Sequence, residues 1–172
     1  MEKLAPQIGE NQLAKLRIPT IFGKAFETVL SAAQELQPDA VFCVGQAGRR
    51  SSTPEVVGIN LREASIPDNA GNHPLNEPVI QDGPTAYFST LPVREMVHRV
   101  KSAGIPCALS YTAGTFVCND VLYSLLHHFS DSHTLVGFIH VPYLPQQAKE
   151  NTPSMPEETI LRALSLAIEA LS

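Results

Sequence analysis

The sequence predicts an α/β domain: an open, twisted, largely parallel sheet with helices on both faces, in a three-layer α/β/α arrangement. Three observations carry this. Short apolar runs of strand length, Asp39–Gly45, Cys107–Tyr111 and Leu135–Val141, are separated by stretches with helical periodicity. Asp39–Gly45 is a continuous apolar run, the pattern of a central strand covered on both faces, and Leu135–Val141 is another apolar strand. The chain has 172 residues, 44% hydrophobic and 17% charged, enough for one substantial core and too apolar for a disordered segment or a coiled coil. One domain, residues 1–172, is therefore expected.

In chain order, residues 1–15 give no regular element, and Leu16–Phe22 reads as a short edge strand because Pro19 removes a ladder donor. Phe26, Val29, Leu30, Ala33 and Leu36 mark an amphipathic helix closed by Gln37-Pro38. Asp39–Gly45 reads as a central strand, 46–54 as a loop, and Glu55–Ala64 as a further strand centred on Val56–Ile59. The Pro-, Asp-, Asn- and Gly-rich segment Ile66–Pro84 reads as a long loop, a length at which function is the usual reason. Leu91, Val93, Met96, Val97 and Val100 place a helix with Pro92 near its first turn. The strand Cys107–Tyr111 is followed by the turn Ala113-Gly114-Thr115 and a helix marked by Val117, Val121, Leu125 and Phe129, widened by Leu122 and Leu126. Leu135–Val141 is a strand stopped by Pro142. Ser154-x-x-Glu157 has the capping-box spacing, with Pro156 in the first turn of a helix marked by Leu161, Leu164, Ile168 and Leu171.

In such sheets, sites form beyond the carboxyl ends of strands, and Gly45-Gln46, Thr112-Ala113 and His140–Pro142 all fall there. Cys118 opens the helix after the second of these loops. Unsatisfied N–H groups and the positive end of the helix dipole favour its thiolate, which predicts a lowered pKa, and the same N–H groups could receive an oxyanion. Inert packing is the ordinary role of a helix cysteine, so a partner base decides the matter. Of six histidines, His127 and His128 suit a helix C-terminus, His98 an exposed helix face, and His73 and His133 polar turns. Only His140 sits in an apolar strand, and a right-handed crossover brings its end near the Cys118 turn. Its imidazole could take the thiol proton and return it to a leaving amine. Glu55, Glu63, Asp68 and Glu77 are all candidates to orient it, and spacing does not choose among them.

No metal-ligand spacing and no phosphate-cradling glycine loop appears, so no cofactor is predicted. A net charge of −5, with no basic cluster beyond Arg49-Arg50, argues against nucleic acid as a partner. No apolar run has the length of a membrane span, and three cysteines without a C-x-x-C suit a reducing cytoplasm.

At these residues the chain resembles the pyroglutamyl peptidase I (pyrrolidone-carboxylate peptidase) family. The likeness is carried by Val44-Gly-Gln-Ala-Gly48, Thr53-Pro-Glu55, Ile59-Asn-Leu61, Ile66-Pro-Asp-Asn69, Glu77-Pro-Val79 and Gly83-Pro84. The run Ser110–Asn119 and the stretch Gly137–Gln147 complete it, so that it covers nearly everything from about Ile18 onward. The resemblance implies a cytoplasmic cysteine peptidase that removes N-terminal pyroglutamate from peptides through a thioester, assembled as a homo-oligomer, commonly a tetramer. It implies Cys118 as nucleophile, His140 as general base and acid, Glu55 as the orienting carboxylate, and Gln46, Ile66, Phe116 and Val117 around the substrate ring. A flat, neutral lactam suits an apolar pocket with a few backbone hydrogen bonds, where a free α-amine would be costly to desolvate.

Two departures accompany the match. The family's opening strand and Gly-Phe-x-Pro-Phe loop have no counterpart here, and Ser65 stands where the family usually carries arginine. They motivate a second expectation, a weakly active or inactive relative with a binding or structural role, and a third, that the natural chain starts further upstream. A cysteine amidase for other small lactam-like substrates is a weaker alternative.

Overall fold

The computed structural model describes residues 2–149 and 151–172. Its elements in chain order are β1 (Gln7–Ile8), β2 (Asn11–Gln12), α1 (Lys24–Leu36), β3 (Ala40–Gln46), β4 (Thr53–Pro54), β5 (Val57–Ile59) and β6 (Ala86–Phe88). Then come α2 (Val93–Ser102), α3 (Val117–His128), β7 (Leu135–Val141) and α4 (Glu157–Ile168), which ends in a 3₁₀ turn at Glu169–Leu171.

β3 and β7 are rich in Val, Ile and Phe, whose branched or flat side chains fit a pleated surface covered on both sides. They pair in parallel from Ala40↔Leu135 to Gln46↔Val141, and β4 joins the far edge of β7 antiparallel. The segment after α2 lies parallel to β4 through N–H···O bonds from Ala108 to Ser52 and from Ser110 to Pro54, and its carbonyls answer Ser52 and Val56. Alternation along β7 divides the core. Val136 and Phe138 face α1 and α3 with Ala25, Val29, Val121 and Leu125. Ile139 and Val141 face α2 and α4 with Met96, Val100, Leu164 and Ala167. Each of the larger of these side chains contributes about 1.5–3 kcal/mol by leaving water. Two helical layers thus enclose a sheet, as the α/β reading requires.

Several expectations are corrected. β7, not β3, is the central strand, and β3 lies at the sheet edge. An apolar run reports covered faces but is silent about hydrogen-bonded edges. Leu16–Phe22 forms no strand; its backbone is tied to the loop instead, through Asn69 N–H to the Thr20 carbonyl and Phe22 N–H to the Asp68 carboxylate. Glu55–Ala64 is not one strand, because β5 turns away to pair with β6 in an antiparallel ladder centred on Gly58↔Tyr87. The β1–β2 hairpin was not legible in residues 1–15, though Gly9 at φ +57° supplies its turn. Ser154 does not cap α4: Pro156 is the N-cap residue, without a side-chain capping bond. Met155 N–H instead bonds the Tyr143 carbonyl.

The start of α3 is fixed electrostatically. Asp120, in its first turn and sealed from water, accepts Arg62 Nε at 2.6 Å and Gly23 N–H at 2.8 Å. Removing one partner of a buried pair leaves an uncompensated charge. Arg62→Ala is expected to lower stability by about 3 kcal/mol, read as a lower urea midpoint; a change under about 0.5 kcal/mol would remove this account.

Candidate active site

The site starts from a turn. The Asp39–Gly45 run ends β3 at the carboxyl edge of the sheet, and the Thr112–Phe116 loop meets it there. Gly114 adopts φ +78°, a left-handed conformation that glycine takes without strain. Thr115 Oγ1 donates to the Glu63 carbonyl at 2.7 Å, and Glu63 N–H returns a bond to the Thr115 carbonyl at 3.0 Å. Phe116 is extended, α3 begins at Val117, and Cys118 is therefore the second helical residue, where backbone N–H groups have no intrahelical partner.

The sulfur of Cys118 lies against the end of β3. A methyl group on Gly45 would sit 3.3 Å from Cys118 Sγ and 2.8 Å from the Phe138 ring, so the missing side chain makes the approach possible. Gly45 is in register with His140 on β7. The imidazole is buried, 4.8 Å from the Phe138 ring centroid, and its Nδ1 is 2.7 Å from Glu55 Oε1. Glu55 is sealed from water, and its own N–H bonds the Phe138 carbonyl at 2.8 Å. Of the four carboxylates left open by spacing, Glu55 is the one against His140. Asp68 is engaged by N–H groups of Phe22, Ala70 and Asn72 and by the Asn72 amide, which shape the long loop. Glu63 and Glu77 are exposed.

The expectation of a depressed thiol pKa is corrected. Burial pushes Cys118 up to about 11, and the negative charge of Glu55 adds to it, while Arg49 and the residue's own backbone N–H pull the other way. The helix terminus acts in the expected direction, but a sulfur wedged over Gly45 has lost the water that would solvate a thiolate. Neighbouring Cys43 is pushed up further, to about 12, by burial and by Cys118.

The ring-binding expectations fall as follows. Gln46 is exposed and donates to Gln147 Oε1 at 2.8 Å. Ile66 is 63% exposed, beside exposed Ser65, on the segment that Glu63 ties to Thr115. Phe116 is half-buried and meets Phe22 edge to face at 5.2 Å. Val117 directs its side chain into the core between α1 and α3.

Arg49 was missed. Its Nη1 is 3.0 Å from Glu55 Oε1, the oxygen His140 uses, and also donates to Thr53 Oγ1 at 2.8 Å and Ser110 Oγ at 2.7 Å. Its Nη2 donates to the Thr112 carbonyl at 3.0 Å. The available signal was an adjacent basic pair, in an acidic chain, just past a strand end that already pointed to a site. Among the described residues, no cluster of His, Cys, Asp and Glu is arranged to hold a metal ion, and no helix is long and apolar enough to cross a membrane.

The model of the pyroglutamyl peptidase family matches residues 1–172. The chain belongs to this family. It is 52% identical over 155 residues to the pyrrolidone-carboxylate peptidase of Bacillus subtilis, covering 88% of this chain and 72% of that one. The pyrrolidone-carboxylate peptidase of Enterococcus faecalis is 47% identical over 175 residues, covering 99% and 82%. Among solved structures, pyroglutamyl peptidase I of Bacillus amyloliquefaciens superposes with a TM-score of 0.87 at 46% identity, covering 89% of this chain and 75% of that one. A variant pyrrolidone carboxyl peptidase of P. furiosus gives 0.93 at 38%, covering 99% and 87%. The chain is thus an enzyme of the pyroglutamyl peptidase I class, a cysteine peptidase.

The family's chemistry gives the close packing at Gly45 a measurable consequence. Gly45→Ala forces Phe138 or Cys118 to move, and kcat is expected to fall about 10- to 100-fold, because small displacements within an active site are that costly. A kcat within twofold would show that the site absorbs the methyl.

Proposed function

We propose that Cys118, His140 and Glu55 act as nucleophile, general base and acid, and orienting carboxylate in hydrolysis of the bond after an N-terminal pyroglutamate. The observation that carries this is the 2.7 Å contact between His140 Nδ1 and Glu55 Oε1, out of water, on the strand beside Gly45. A carboxylate requires a donor at Nδ1, so the neutral imidazole keeps its lone pair on Nε2.

The steps follow. A thiol with a pKa near 11 carries its proton at neutral pH, so deprotonation accompanies attack: the proton moves to Nε2 as sulfur adds to the pyroglutamyl carbonyl carbon. The tetrahedral oxyanion is received by N–H groups at the start of α3, where Val117 contributes its backbone while its side chain anchors the helix. When the C–N bond breaks, Nε2 returns the proton to the leaving amine. Water then adds to the thioester by the same route and releases pyroglutamate and the thiol. Phe116 and Ile66 supply apolar surface for the lactam ring, and Gln46 a polar group at the strand end. This wall suits a neutral ring and disfavours a charged α-amine.

The reading extends to a single peptidase domain over residues 1–172, in the cytoplasm, where the free thiols of Cys43, Cys107 and Cys118 persist. It also extends to a homo-oligomer, supported by exposed Phe88 and Tyr111, and tested by sedimentation. The deciding experiment is release of a fluorescent amine from pyroglutamyl-, prolyl- and alanyl-amides. Selective release from the first is expected; equal rates on all three, or none from a cooperatively folded chain, would overturn the proposal.

A further inference from the structure

Resting on the proposed triad, we propose that Arg49 is a positioning residue of this enzyme, holding Glu55 in the orientation that serves His140 and setting a fixed positive charge against the triad's carboxylate. Three observations support it. First, Arg49 Nη1 and His140 Nδ1 share one oxygen, Glu55 Oε1, at 3.0 and 2.7 Å. The other oxygen, Oε2, is buried and has no hydrogen-bond partner among the described residues, so the carboxylate is held from one side only. Without the guanidinium, the imidazole would be the carboxylate's one remaining hydrogen-bond donor among the described residues.

Second, the guanidinium is itself immobilised. Thr53 Oγ1, Ser110 Oγ and the Thr112 carbonyl fix it, and these belong to β4 and to the segment running into the Cys118 turn. Arg49 therefore ties the loop after β3, the strand bearing Glu55's neighbour and the approach to α3 into one unit. Such a fork suits a planar, permanently charged group with several donors.

Third, the charge has a consequence at sulfur. The titratable and charged groups facing one another here are Glu55 beyond β4, His140 on β7, Cys43 on β3, Cys118 on α3 and Arg49. In that set Glu55 and Cys43 are negative when charged, and Arg49 is the one permanent cation. It opposes the burial and the carboxylate that disfavour the Cys118 thiolate. A surface arginine would be screened by water; this one is 26% exposed and hydrogen-bonded through both terminal nitrogens.

The test uses Arg49→Gln, which keeps a polar amide but removes the charge and is too short to reach Ser110 and Thr112, and Arg49→Lys, which keeps the charge but loses the fork. Two readouts are taken on the full chain: kcat and KM on a pyroglutamyl amide, and the pH dependence of Cys118 alkylation by iodoacetamide. Cys43 and Cys107 are buried, and Cys118→Ala measures any background from them. For Arg49→Gln, kcat is expected to fall about 30-fold with KM within about threefold, and the alkylation midpoint to move up by about one pH unit. Arg49→Lys is expected to restore the midpoint and most of kcat. An unchanged midpoint with kcat within about twofold would overturn the proposal. So would a loss that lysine does not restore and that tracks a lowered melting temperature, since that is a purely structural role. Should Arg49→Gln not fold, Arg49→Lys decides alone: a native midpoint supports the proposal, and a raised midpoint overturns it. Alkylation needs no substrate, so failure of the peptidase reading appears separately, as absent amine release with the alkylation shift intact.

Discussion

Cys118→Ala is expected to bring release of the amine from a pyroglutamyl amide to background, a loss of at least about 10⁴-fold, with the secondary structure and cooperative melt retained. No other thiol can take over. Cys43 lies in β3 and Cys107 at the start of the segment that runs parallel to β4, both buried and both pushed up in pKa chiefly by burial. Loss of the sulfur also changes the alkaline behaviour of the fold, and the sign is fixed by linkage. The Cys118 pKa rises from 9.0 to about 11, so the folded state prefers the neutral thiol. That preference is fully present below pH 9 and is lost as pH rises toward 11. Stability of the native chain should therefore fall across that interval, and Cys118→Ala should flatten part of the slope, the remainder coming from Cys43, whose interval extends to about 12, from Cys107, whose interval extends to about 11, and from Tyr123, which burial also shifts upward. Urea midpoints at pH 8, 9 and 10 would measure this; parallel curves for the two proteins would refute the burial argument. Residual, selective turnover by the alanine variant would refute the nucleophile.

Much of this site was legible before any coordinate. Residue spacing alone placed three loops at one edge of the sheet, and Gly45, Thr112 and His140 do converge there. Helical periodicity found α1, α2, α3 and α4, because apolar stripes survive packing against a sheet. The failures share a cause. Periodicity describes faces, whereas strand order and edges depend on distant partners, so pattern alone makes β3 look central and Leu16–Phe22 look like a strand. The β5–β6 ladder and the Asp68-centred loop are held by long-range bonds that composition does not encode. Among carboxylates, spacing left Glu55, Glu63, Asp68 and Glu77 equal; family likeness favours Glu55, and it is the one of the four that lies 2.7 Å from His140 Nδ1. Arg49 escaped because a charge near a strand end is usually solvated, and nothing in one sequence distinguishes the arginine that folds back. The thiol pKa was misjudged for a related reason: the helix terminus is visible in sequence, but the burial that outweighs it is set by Gly45 and Phe138 on other strands.

Glu55→Gln is the second substitution with a large expected effect, and it discriminates between two functions of the carboxylate. The amide has nearly the same shape, so the cavity between β4, β7 and Arg49 stays filled. Its oxygen can accept from only part of the donor set, and its NH₂, if turned toward Nδ1, would force the proton onto Nε2, the wrong tautomer for taking a proton from sulfur. Either way the imidazolium formed during attack loses the negative charge beside it. A fall in kcat of about 10³- to 10⁴-fold with KM little changed is expected, since the loss arises as charge develops. The same change leaves Arg49 without its counter-charge, in a setting where that charge is mostly withdrawn from water, so stability should drop by about 1–3 kcal/mol. Glu55→Ala adds an unfilled space to both losses and should melt lower than the glutamine variant. If Glu55→Gln kept kcat within about tenfold while losing stability, the carboxylate would be a structural partner of Arg49, and orientation of His140 would fall to its packing against Phe138.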